Sequence, residues 1–191
     1  MSERFEQFIS KTMYFETGGD KSGAYHIDKD DPGGETKWGI SKAAHPETDI
    51  KNLTYKEATE IYRSLYYSVF YEVIQSEKIA FKVFDMGVLN GPRTATKLLQ
   101  RAINKLGIAT LRVDGLFGPM TLTAVNMSLA QGTDEQLYTK YVQLLCDRFK
   151  RIALNPFRRK FLKGWLKRAN YLYKKPVEDK PKTKKKVKNA K

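Results

Sequence analysis

A single cysteine, Cys146, excludes an intramolecular disulfide in this chain of 191 residues. It lies in the apolar helical run YVQLLCDRF and reads as a core thiol rather than a nucleophile. Histidine is almost as scarce. His26 and His45 alone cannot build a zinc site of the usual His/Cys type. Asp28, Asp30 and Asp31 cluster, but the twelve-residue EF-hand pattern with its terminal Glu is missing, so no calcium loop is expected. Neither a metal nor a cofactor is expected. No apolar run approaches the roughly 20 residues of a membrane-spanning helix. The opening MSERFEQFIS has no apolar signal region, so no signal peptide is expected.

Charge of one sign is abundant. The formal net charge is +14, which suits an anionic partner such as nucleic acid, a membrane surface or an acidic polymer. From Lys174 to Lys191 nine Lys face only Glu178 and Asp179, a net +7, with no aromatic residue. That composition predicts a disordered tail at 174–191, acting as a solubiliser or an electrostatic tether.

Hydrophobic spacing predicts a mainly α-helical fold with one small β-lobe near the N-terminus. Phe5, Phe8, Ile9 and Met13 mark a helix over 3–16, stopped by Gly18 and Gly19. Residues 24–40 read as a hairpin with a turn at Pro32-Gly33-Gly34. Thr54-x-x-Glu57 is a capping box for a helix whose apolar stripe would be Ala58, Ile61 and Leu65. Further helices are predicted over 77–89, 94–106, from about Pro119, over 134–153 and over 157–173. The last would carry Phe157, Phe161 and Trp165 on one face and Arg158, Arg159, Lys163, Lys167 and Arg168 on the other, as a solvated face or a surface for an anionic polymer. Tyr66, Tyr67, Phe70 and Tyr71 recur too densely for one buried face, so some should be exposed, for sugar stacking or partner contact.

The chemistry concentrates in ETGGDKSGAYHIDKDDPGGETKWGI, residues 16–40. Glu16 closes a helix beside Tyr14 and Phe15, a setting that suits a proton donor. The polar hairpin after it supplies a second carboxylate and a hydroxyl. Hydrolysis of a glycosidic bond needs such a set: one acid for the leaving oxygen, and a second group for water on the other face of the sugar.

This block resembles the signature of glycoside hydrolase family 108, the phage and bacterial N-acetylmuramidases. The matching residues are Glu16, Gly18, Gly19, Tyr25, Asp28, Asp31, Pro32, Gly33, Gly34, Thr36, Gly39 and Ile40. Thr17 after the glutamate, and DKSGA between the glycine pair and Tyr25, depart from the pattern and lengthen the lip of the site. Downstream, FDMGVLNGPRTATKLLQRAIN resembles the family's Phe-Asp-x-x-Val-Asn-x-Gly segment. VDGLFGPMTLTAV resembles a loop of its C-terminal peptidoglycan-binding-like half, and Lys163-Gly164-Trp165-Leu166 its Gly-Trp segment.

The resemblance implies a lysozyme-like helical catalytic part over 1–80, a peptidoglycan-binding-like half over 81–173, and then the tail. It makes Glu16 the proton donor. By analogy with phage-type lysozymes, Asp28 is the second carboxylate and Thr36 the water-positioning hydroxyl. Tyr25 and Trp38 are sugar-stacking candidates. Asp85 and Asn90 either line the cleft or cap and cross-link helices, while Asp114 and Thr121 organise their loop.

The expected protein is a monomeric muramidase cleaving the β-1,4 bond between N-acetylmuramic acid and N-acetylglucosamine. Its basic surface and tail would hold it on anionic cell envelope. A phage endolysin, kept in the host cytoplasm until release to the wall, is the expected context, with a virion-associated wall-degrading enzyme second. A lytic transglycosylase could use the same acid. A basic nucleic-acid-binding protein is the rival of another class, but no recognition motif accompanies the charge.

Overall fold

The computed structural model describes residues 2–27 and 34–175. Asp28, Asp31 and nearly all of the expected Lys-rich tail therefore lie outside the described residues. Eight α-helices and a three-stranded sheet make up the described part.

Helix α1 (Glu3–Glu16) starts at Ser2, whose hydroxyl accepts from the Phe5 amide, with Glu3 and Glu6 in its first turn facing the positive end of the helix dipole. One face buries Phe5, Phe8, Ile9, Thr12 and Met13. Strands β1 (His26–Ile27), β2 (Glu35–Lys37) and β3 (Ile40–Ser41) form an antiparallel sheet in that order. His26 pairs with Thr36, and Thr36 with Ser41.

Helix α2 (Tyr55–Tyr66) has the expected capping box at Thr54 and Glu57. Its buried face is Ala58, Thr59 and Tyr62; of the predicted stripe Ala58 is buried, Ile61 packs partly buried against the core, and Leu65 is half exposed. A 3-10 turn (Val69–Val73) follows. Arg4 holds its end by donating to the carbonyls of Tyr71, Glu72 and Ile74 at 2.7–2.9 Å. The four dense aromatics are not a free sugar platform. Tyr71 is buried and the others are half-buried, with Tyr67 and Tyr71 packed edge-on in a cluster that includes Phe5, Phe84 and Phe117.

Helix α3 (Glu77–Asn90) is buried on almost every side, from Ile79 to Gly87. It forms the centre of the fold, and the expected boundary near residue 80 falls inside it. Helices α4 (Pro92–Lys105), α5 (Pro119–Ala130) and α6 (Asp134–Ile152) complete the second half, and a single hydrophobic cluster runs through both halves. The last predicted helix is instead two: α7 (Pro156–Arg159) and α8 (Leu162–Ala169). Phe157, expected on one helix face with Phe161 and Trp165, is 85% exposed.

Candidate active site

Glu16 is the last residue of α1. Thr17 ends the helix, its amide donating to the Met13 carbonyl at 2.9 Å and its hydroxyl to the same oxygen at 3.0 Å. The Glu16 side chain is partly accessible, at 21%, on a helix otherwise rooted in the core.

Two elements meet it. One is the turn between β2 and β3. Trp38 and Gly39 both take positive φ, 55° and 75°, as a two-residue hairpin of the type I′ kind requires. For tryptophan that conformation is strained, and three hydrogen bonds hold it. The Trp38 amide donates to the Gly23 carbonyl at 2.7 Å. Its indole Nε1 donates to the Leu53 carbonyl at 3.2 Å. Its own carbonyl accepts from the Tyr62 hydroxyl at 2.9 Å. The turn brings Gly39 against the glutamate. A methyl group at Gly39 would stand 2.6 Å from the Tyr62 hydroxyl and 3.2 Å from Glu16 Cβ and Oε2. Burial and then the Glu16 charge push the phenols of Tyr62 and Tyr66 above the tyrosine range.

The other element is the end of α8. Arg168 Nη1 donates to Glu16 Oε1 at 2.6 Å. The rest of the guanidinium is spent on Asp85 of α3: Nη2 donates to Oδ1 at 2.8 Å, and Nε reaches both carboxylate oxygens at 3.1–3.2 Å. Thr12 of α1 donates to Asp85 Oδ1 at 3.0 Å. The guanidinium also lies 5.2 Å from the Phe15 ring centre. Burial works against the Arg168 charge, but Asp85 and then Glu16 outweigh it and raise its pKa further. Lys82, one turn before Asp85, anchors the same helix end. Its ammonium donates to the carbonyls of Arg168, Ala169 and Tyr171 at 3.2, 2.8 and 2.7 Å.

Several expectations change here. Arg168 was grouped with the outward basic face, yet it is 7% exposed and bridges two carboxylates. Asp85 is fully buried. It cannot line a cleft, and it cross-links α1, α3 and α8 instead. Trp38 is 8% exposed, with its ring against Gly23 and edge-on to Tyr55, so it is a turn anchor with little face left for a sugar. Asn90 gives its side-chain amide to the Met86 carbonyl at 3.3 Å, at the end of α3. Tyr25 keeps partial exposure, and its hydroxyl donates to Glu35 Oε2 at 3.3 Å. Thr36 sits half-buried at the centre of the sheet. The Glu16–Asp28 separation lies outside the described residues.

Sequence reading missed Arg168, Tyr62 and Lys82. Two charges, Lys82 and Asp85, stand inside the apolar helix FKVFDMGVL, and buried charges require partners. That was the available signal, although it could not name Arg168. Asp114 and Thr121 both accept from Gln100, at 3.0 and 3.2 Å, and organise their loop. Among the described residues no group of three or more His, Cys, Asp and Glu is placed to hold a metal ion.

A hollow of about 80 Å³ lies beside Gly39, with Ser41, His45, Tyr62 and Tyr66 in its wall. A larger one of about 410 Å³ opens among Met13, Tyr14, Thr17, Trp38 and Tyr55. Glu16 thus stands at an accessible helix end, with one oxygen held by a buried arginine.

Residues 16–91 match the glycosyl hydrolase 108 family, beginning at Glu16 itself. Residues 94–170 match the family described as a predicted peptidoglycan domain. The chain carries a glycosyl hydrolase 108 domain. With the peptidoglycan domain behind it, this is a glycoside hydrolase acting on peptidoglycan. Among solved structures, SagA of Brucella abortus has the same fold, at a TM-score of 0.58 and 23% identity over 86% of this chain and 90% of that one. None of the curated proteins matches the chain.

Proposed function

We propose that this glycosyl hydrolase is an N-acetylmuramidase, with Glu16 as the proton donor to the oxygen linking N-acetylmuramic acid to N-acetylglucosamine. The observation that carries this reading is the asymmetric seat of Glu16. Arg168 occupies Oε1, which leaves Oε2, on the Gly39 side, to carry the proton. As the proton moves to the leaving oxygen, negative charge develops on Glu16. Arg168 is already positioned to stabilise it, and Asp85 fixes Arg168 without reorganisation. Thr36, on the sheet that faces this helix end, positions water. Asp28 supports the cationic transition state.

The second half holds the glycan strand, and the first half cuts it. A phage endolysin is the context that suits a basic muramidase of this size. Among the described residues no helix is long and apolar enough to cross a membrane.

The test is Glu16→Gln, which keeps shape and removes the acid. Clearing of purified peptidoglycan should fall at least 1,000-fold, on the order of what removing a general acid and its transition-state charge costs, with the unfolding midpoint within a few degrees of wild type. Mass spectrometry of wild-type digests should find reducing N-acetylmuramic acid ends. Anhydro-muramic ends would reassign the reaction to transglycosylation, and reducing N-acetylglucosamine ends would reassign the bond.

A further inference from the structure

The junction between α6 and α8 is built unlike the rest of the surface. Every residue from Leu154 to Phe161 is exposed, and the segment reads LNPFRRKF. Leu154 is 81% exposed, Phe157 85% and Phe161 48%. Phe157 and Phe161 flank the three consecutive cations Arg158, Arg159 and Lys160. No Asp or Glu occurs anywhere between Arg148 and Val177. The rim is rigidly backed, because Phe161 lies against Trp165 with ring centres 5.7 Å apart, and Trp165 stacks on the buried Phe149 at 5.5 Å.

We propose that this segment is a docking surface for an anionic phospholipid bilayer, with Leu154, Phe157 and Phe161 entering the headgroup–acyl boundary and Arg158, Arg159 and Lys160 pairing with lipid phosphates. The pattern of apolar tips ringed by cations is what an interfacial anchor needs. Each cation near such a surface strengthens binding about fivefold. A glycan strand fits the segment poorly. No carboxylate stands in the segment to accept from sugar hydroxyls, and the Asn155 side-chain oxygen already accepts from the Phe157 amide at 3.0 Å. Leu154 offers no stacking face. The surface is distinct from the Glu16 site, and its test does not depend on the chemistry there.

The experiment is co-sedimentation of the full chain with vesicles of phosphatidylglycerol and phosphatidylcholine, and with phosphatidylcholine alone. Binding is expected to the anionic vesicles and not to the neutral ones. Leu154→Ser/Phe157→Ser, which keeps every charge including the Lys-rich tail, should weaken binding about 10–100-fold. Arg158→Ala/Arg159→Ala/Lys160→Ala should weaken it on the order of 100-fold. Both variants should keep the wild-type unfolding midpoint, because every substituted side chain is exposed. Unchanged vesicle binding by the Leu154/Phe157 variant overturns the proposal, as does equal binding to neutral vesicles. Loss of peptidoglycan binding in these variants would assign the surface to the wall polymer. Tighter binding to a single-stranded oligonucleotide than to anionic vesicles, lost on the same substitutions, would assign it to nucleic acid.

Discussion

Replacing Arg168 by Met tests whether the fold and the site share one ion network. The side chain of Arg168 is 8% exposed and that of Asp85 is not exposed at all. Removal of the guanidinium leaves Asp85 with the Thr12 hydroxyl as its remaining hydrogen bond. Stripping one partner from a buried ion pair costs about 3–5 kcal/mol, which for a domain of this size lowers the melting temperature by roughly 6–20 °C. The double variant Arg168→Met/Asp85→Leu removes both charges and fills the space with apolar groups. Such swaps are often close to neutral, so its stability should return to within about 1–2 kcal/mol of wild type, the remainder being the unpaired Thr12 hydroxyl. Activity should not return with it. Both variants lack the donor on Glu16, and peptidoglycan clearing should stay down on the order of 100-fold in each. Urea unfolding and turbidity assays on the three proteins are sufficient. Equal destabilisation of the single and double variants would refute the buried-pair account. Recovery of activity together with stability would show that Arg168 serves the fold alone.

Gly39→Ala puts a methyl 2.6 Å from the Tyr62 hydroxyl and 3.2 Å from Glu16 at a φ of 75°. It should cost about 1–3 kcal/mol and lower turnover even where the protein remains fully folded, and wild-type turnover would show that the turn does not set the glutamate. Tyr62→Phe leaves the Trp38 carbonyl without its 2.9 Å donor, for an expected loss of about 1–3 kcal/mol in urea unfolding; a loss under about 0.5 kcal/mol would mean that the strained turn holds without it. Burial lowers the Lys82 amine to about 8, against an opposing push from Asp85. Between pH 8 and about 10.4 the unfolded chain therefore holds a proton that the folded chain has released, and this group adds stability as pH rises, by up to about 1.4 kcal/mol per pH unit. Lys82→Met lacks that gain, so the stability difference, wild type minus variant, should climb above pH 8; a flat difference up to pH 10 would contradict the assignment.

The local order of this protein is written in its sequence. Periodicity located α1 and α3, the capping box at Thr54 opened α2, and Pro119 opened α5, because capping and hydrophobic spacing act within a few residues. Glu16 stood out as the candidate acid for the same reason: a helix end, a glycine pair and a family signature are contiguous. What the spacing could not show is where a charge goes once helices pack. Arg168 looked like one more cation on a basic stripe, yet it lies 152 positions from the glutamate it holds. Asp85 could have lined a cleft or cross-linked helices, and Trp38 looked like a candidate for sugar stacking. Tertiary packing buried all three, since a carboxylate inside α3 demanded a cation from another element and a strained Trp-Gly turn demanded an anchored ring. Phe157 moved the opposite way. Its four-residue spacing to Phe161 and Trp165 put all three on one helix face, but the chain divides between α7 and α8, and only Trp165 reaches the core. Local rules determined most of the elements and marked Glu16 as the candidate acid. Packing decided which charges face the acid, and which apolar groups are left facing solvent.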